Sequence, residues 1–136
     1  MVVERLLKFC SWNIEGLARK LEDKDFLSII GNFDCVSLVE TWQSNNDLNI
    51  DGFCSFSKCR QASGKAKRHS GGITVLVKSN LRKGVKFLDK ESNEEFVWWK
   101  LEKDFFNMTQ DLFVCSVYIP PQNSPRITLV EETKVV

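Results

Sequence analysis

The stretch Asp34-Cys35-Val36-Ser37-Leu38-Val39-Glu40-Thr41-Trp42 constrains this chain most, because it joins a short apolar run to a single carboxylate at its end. Asn32 and Asp34 bound the run on one side, and Gln43 to Asp47 bound it on the other. A run with so little polar surface reads as a strand buried on both faces. A carboxylate on the last residue of such a strand opens toward the crevice beyond the sheet's carboxyl edge, where α/β proteins bind ligands. A solvated strand-end glutamate has the same spelling.

The flanking pattern supplies neighbours for that strand. Leu6 to Asn13 reads as a first strand, with Leu7, Phe9 and Ser11 alternating with Lys8 and Cys10. Leu17 and Leu21, then Phe26, Leu27 and Ile30, have helical spacing; Asp23 or Asp25 can cap the second half and Gly31 stops it. Strand, helical crossover, strand makes the strands ending in Asn13 and Glu40 parallel neighbours.

Further strands are predicted at Gly52–Ser57, Ile73–Lys78, Val85–Leu88, Phe96–Leu101 and Asp111–Ile119. Pro120-Pro121 closes the last one, since proline cannot continue a ladder. There is no internal repeat and no linker, and 136 residues fit one domain able to bury roughly two-thirds of its unfolded surface. With 43% hydrophobic and 27% charged residues, no apolar run of membrane-spanning length and no leader pattern, the expectation is a soluble intracellular protein of nucleus or cytoplasm.

The net charge of +1 hides an asymmetry. Lys58, Arg60, Lys65, Lys67 and Arg68 fall between Ser57 and His69 with no acid among them, while Asp89 to Asp104 is acid-rich. A basic loop set among Gly, Ser and Ala is a candidate phosphate contact, and equally a solvated run. The only histidine, His69, sits in it as a surface or phosphate-contact residue. The five cysteines contain no Cys-x-x-Cys pair and read as reduced thiols acting as small hydrophobes. Cys54, Cys59 and His69 do not make a zinc site: a fourth ligand is missing and the spacing is not standard.

Asn13 with Glu15, Glu40, and Tyr118 fall at three strand ends. A hard divalent cation needs carboxylate oxygens, an amide can orient them or a phosphate, and a phenol can donate to a phosphoryl oxygen. Magnesium is held by one or two carboxylates plus waters and substrate phosphate.

In this context Ser11-Trp12-Asn13-Ile14-Glu15-Gly16-Leu17, Leu38-Val39-Glu40-Thr41-Trp42, Gly71-Gly72-Ile73-Thr74-Val75-Leu76-Val77 and Val117-Tyr118-Ile119-Pro120-Pro121 resemble the successive N-terminal motifs of the endonuclease/exonuclease/phosphatase superfamily. The nearest likeness is to the apurinic-endonuclease-like domain of non-LTR (LINE-type) retrotransposons. The resemblance implies an α/β fold, the N-terminal half of a four-layer α/β-β/α sandwich, with one mixed sheet and a flanking helix in this chain. It implies magnesium as cofactor and DNA as partner. Glu40 would be the main metal ligand, Asn13 would bind phosphate and orient the metal site, and Tyr118 would sit against the scissile phosphate. Glu15 would act behind the direct ligands.

The family's Gly-Asp-x-Asn segment and its Asp-His pair, which polarises the water, do not occur here. Asp47-Leu48-Asn49 has the Asp-x-Asn spelling too early in the order. Residues that act as one catalytic unit lose most of the rate enhancement together. The expectation is therefore the N-terminal portion of a phosphodiesterase domain, inactive alone, whose partner is the remaining half of that domain. It also follows that Phe96, Trp98 and Val114 should expose an apolar face meant for a second sheet. A phosphatase or deadenylase of the same superfamily, and a non-catalytic nucleic-acid-binding remnant, are the competing readings.

Overall fold

A computed structural model describes residues 6–43, 48–59 and 71–119. Residues Phe9–Asn13 form β1, Leu17–Lys20 form α1, Lys24–Ile30 form α2 and Cys35–Val39 form β2. The helical pattern is split rather than continuous. Asp23, not Asp25, is the cap of α2: its Oδ1 accepts from the backbone N–H of Asp25 at 2.9 Å and of Phe26 at 3.4 Å, and Gly31 ends the helix.

Strands β1 and β2 are parallel, in a register that pairs Phe9 with Cys35 and Asn13 with Val39. Phe53–Lys58 form β3 and Ile73–Lys78 form β4, giving a four-stranded mixed sheet of order β1-β2-β4-β3 in which only the first pair is parallel. The apolar run read as a doubly buried strand is one: four of the five residues of β2 are buried. The pleat sends Val36 and Leu38 to one side, where they pack with Leu17, Phe26, Ile30 and Leu76 beneath the helices. Cys35 and Val39 go to the other side.

That other side meets a second sheet. The expectation of one mixed sheet is corrected here: Val85–Leu88, Phe96–Leu101 and Leu112–Val117 form β5, β6 and β7 of a separate antiparallel sheet of order β5-β6-β7. The 3-10 helix Ser79–Gly84 carries the chain between sheets and drops Leu81 into the space between them. Alternation in β6 then aims Val97, Trp99 and Leu101 inward, onto Cys35, Val39, Ile73, Val75 and Val77. The Phe56 and Phe87 rings stack at 4.8 Å between β3 and β5, and Phe9 meets Trp99 at 6.0 Å between β1 and β6. Among the described residues the layers are helices, mixed sheet and antiparallel sheet.

The exposed face differs for the same reason. Val114 packs into the inter-sheet core, because its own chain supplies the opposing sheet, whereas Phe96 lies half-buried on the other face of β6, the face of Trp98. The face left open is the outer one of the second sheet, where Trp98 is 36% exposed, Phe113 57% and Val117 54%. Strand β1 begins at Phe9 instead of Leu6, because the preceding segment is tied to Asp34: Lys8 N–H donates to its carboxylate at 2.8 Å and Lys8 C=O accepts its N–H at 2.9 Å. Strand β7 stops at Val117; Pro120-Pro121 lie outside the described residues. The short helix α3 (Lys103–Phe106), absent from the sequence-based expectation, links β6 to β7. No helix among the described residues is long and apolar enough to cross a membrane.

Candidate functional site

Because β1 and β2 are parallel and in register, their carboxyl ends lie side by side, about 4.8 Å apart. Asn13 is the last residue of β1 and is exposed; Glu40 follows the last residue of β2 and is half-buried. The expected adjacency of these two strand ends is present. Glu15 lies two residues past Asn13 and is exposed. Tyr118 follows β7 on the second sheet, half-buried against the inter-sheet core to which Val39 and Ile73 belong. Its N–H donates to the Glu95 carbonyl at 2.8 Å. The hydroxyls of Ser37 in β2 and Ser116 in β7 hydrogen-bond to each other, so the two sheets are fastened three residues before Glu40 and two before Tyr118.

The backbone around Glu40 is unusual. Glu15, Glu40 and Trp42 have φ values of 48°, 58° and 57°, and Gly16, Gly71 and Gly72 have 106°, 75° and 92°. Left-handed backbone is uncommon outside glycine, and such residues persist where surrounding structure over-determines them. Here that structure is a set of main-chain bonds between loops. Gly16 N–H donates to Glu40 C=O at 2.8 Å and Leu17 N–H to Thr41 C=O at 2.9 Å. Trp42 N–H donates to Gly71 C=O at 3.0 Å, and Thr41 N–H to Gly72 C=O at 3.4 Å. The loop after β2 is thus stitched to the loop after β1 on one side and to the start of β4 on the other.

The Glu40 carboxylate is held within that frame. Its Oε2 accepts the Trp42 indole N–H and the Gly71 backbone N–H, the latter at 3.2 Å. Both bonds fall on one oxygen, and Oε1 makes no hydrogen bond among the described residues. Beyond it, Thr74 Oγ1 donates to Gln43 Oε1 at 2.7 Å and shares a 2.8 Å bond with Ser57. Thr41 Oγ1 is buried with no partner among the described residues. The roles of Trp42, Gly16 and the Gly71-Gly72 pair were not foreseen; the glycines spelled a turn but not which carboxylate it would grip.

No family model matches the chain, and no curated protein matches it. The site must be read from its own chemistry. No cluster of three or more His, Cys, Asp or Glu side chains suited to a metal occurs among the described residues.

Of the basic run, Lys58 is described: its Nζ pairs with Asp89 at 2.6 Å and lies 5.9 Å from the Phe56 ring centroid. That ammonium is already committed to a carboxylate. Arg60, Lys65, Lys67, Arg68 and His69 lie outside the described residues, as does Asp47. Five cysteines are free thiols, and Cys35 is buried in the inter-sheet core. Burial, helped by the adjacent Asp34 carboxylate, pushes its thiol up to about 12, so it stays protonated and inert.

Proposed function

We propose that this chain supplies the metal- and phosphate-holding part of a magnesium-dependent phosphodiesterase site of the endonuclease/exonuclease/phosphatase kind, acting on DNA. In this reading the helices and two sheets are the N-terminal half of a four-layer α/β-β/α sandwich. The observation that carries it is the placing of Asn13 and Glu40 at adjacent carboxyl ends of a parallel strand pair, with Glu40 gripped, among the described residues, through one oxygen.

Glu40 Oε1 would hold the cation, and Asn13 would orient a phosphate oxygen from the neighbouring strand end. Tyr118 would donate its phenolic hydrogen to a phosphoryl oxygen from the opposing sheet. Bound magnesium supplies charge stabilisation at the phosphoryl or leaving oxygen. Glu15, exposed two residues past Asn13, is given a supporting position. The water-activating Gly-Asp-x-Asn and Asp-His groups are not among these 136 residues, and we assign them to a second polypeptide segment. The chain alone is therefore not expected to nick DNA.

Manganese broadening of amide NMR signals tests the assignment, since it detects even weak, localised binding. Manganese(II), standing in for magnesium, should broaden residues near Asn13, Glu40 and Gly71 in the wild-type chain and not in Glu40→Gln. Identical broadening in both proteins, or broadening only at acidic residues elsewhere, would overturn the proposal. DNA affinity carried by the basic run should fall steeply with salt, because phosphate contacts release counterions; a flat salt response would remove DNA from the reading.

A further inference from the structure

We infer that Trp42 is the positioning residue for Glu40: its indole N–H, seated on Gly16, and the Gly71 N–H form a preformed clamp that fixes the carboxylate and aims its second oxygen outward.

Trp42 belongs to neither hydrophobic core among the described residues. It lies instead against Gly16. A Cβ built at Gly16 would come within 2.9 Å of Trp42 Cε3, so the indole occupies space that any other residue at position 16 would need. Gly16 also has φ 106°, a conformation side chains rarely adopt. The indole therefore has a seat made by β1's loop and an acceptor made by β2's end.

The second donor comes from a third direction. Gly71 N–H reaches the same Oε2 from the segment that opens β4. Gly72 makes room beside it: a Cβ there would lie 2.5 Å from Thr41 Oγ1. Two N–H groups on one carboxylate oxygen leave one oxygen free in a fixed direction, which is what a cation with a partial water shell requires.

The cost of the arrangement shows what it serves. Glu40 and Trp42 both have positive φ, and the Thr41 hydroxyl between them is buried without a partner among the described residues. Each is unfavourable alone. What the three residues jointly produce is a carboxylate with one occupied and one open oxygen. The clamp itself stands on this geometry; its consequence for metal binding rests on the phosphodiesterase reading.

The test separates the two. The chain has four tryptophans, hence four indole N–H signals in a nitrogen-15 spectrum, and Trp42→Phe identifies the one belonging to Trp42. That signal should exchange slowly with solvent in the wild-type chain and in Glu40→Gln, which keeps an acceptor oxygen, and rapidly in Glu40→Ala. Exchange indifferent to Glu40→Ala overturns the clamp, and this measurement needs no variant at Trp42 to fold. Manganese(II) affinity then supplies the second arm. Trp42→Phe keeps a ring over Gly16 and should lose affinity by about tenfold, as removal of a partner behind a metal ligand does. Gly16→Ala, which puts a Cβ where the indole lies, should reproduce that loss. Loss in Glu40→Gln with no loss in Trp42→Phe overturns the clamp and leaves the phosphodiesterase reading standing. Slow exchange that depends on Glu40, with manganese binding unaffected by any of the variants, supports the clamp and overturns the phosphodiesterase reading.

Discussion

Replacing Ser116 by alanine tests whether the two sheets are fastened as the structure has them. Trp99 is 1% exposed and its indole N–H donates to Ser116 Oγ at 3.1 Å; Ser116 is 5% exposed and its hydroxyl also meets that of Ser37. Ser116→Ala leaves the indole N–H with no acceptor in a dry interior, and an unsatisfied buried donor costs about 1–3 kcal/mol. Ser37 is only half-buried, so water can take the lost place there and the added loss is about 0.5 kcal/mol. The expected destabilisation is about 1.5–3.5 kcal/mol, or a fall of roughly 1–2 M in the urea midpoint.

The sharper measurement is the cycle with Trp99→Phe. That change removes the donor and opens a small void, which should cost roughly 1–3 kcal/mol, below the cost of full truncation. In the double variant no donor is stranded, so Ser116→Ala should cost less than it does alone. A coupling of about 1–2 kcal/mol is expected from two residues in direct contact. Far-ultraviolet circular dichroism should follow unfolding, because fluorescence changes when a tryptophan is removed. Additivity within about 0.5 kcal/mol would refute the reasoning and, with it, the Trp99–Ser116 hydrogen bond between β6 and β7.

A Cβ at Gly84 would fall inside contact of the Phe105 and Phe106 rings, so Gly84→Ala should destabilise by about 1–3 kcal/mol, read as a lowered Tm; an unchanged Tm refutes the packing of α3. The Cys35 thiol, raised from 9.0 to about 12, binds its proton more tightly folded than unfolded. Its contribution to stability is therefore fully present below pH 9 and is lost as pH rises toward 12. Alkaline urea midpoints should fall more in the wild-type chain than in Cys35→Val, and equal falls refute it. Thr41→Val removes a buried hydroxyl that has no partner among the described residues and should be neutral or stabilising by about 1 kcal/mol; a clear loss would mean the hydroxyl has a partner. Lys58→Gln breaks a pair with Asp89 whose side chains are 28% and 69% exposed, so stability should change by less than about 1 kcal/mol.

Much of the fold was legible because periodicity reports burial. The run from Cys35 to Val39 said that two layers cover β2, and they do. The helix between Asn13 and Cys35 required a parallel pair, which the register bears out. Partition of the later strands between two sheets was not legible, since Val85, Val97 and Trp99 alternate identically whichever sheet they join. What decides it is the turn Ser79–Gly84, whose residue types announce only a break. The outer face of the second sheet was misplaced for the same reason: alternation gives two faces but not which of them is inside.

The candidate site divides along the same line. Asn13 and Glu40 could be placed at neighbouring strand ends because parallel strands fix where their carboxyl ends go. The grip on Glu40 depends on the sign of φ at Glu40 and Trp42, and neither residue type announces a left-handed backbone. Only Gly16 and Gly71-Gly72 hint at it, as positions where loops must approach closely. Local preference and observed conformation thus conflict within three consecutive residues, while the strands on either side follow their preferences. Sequences locally consistent with their folds break that consistency where something other than folding is served. Here the break coincides with a carboxylate at the carboxyl end of β2, and that coincidence is the strongest reason to look for function at Glu40 rather than at the exposed sheet face or the basic run.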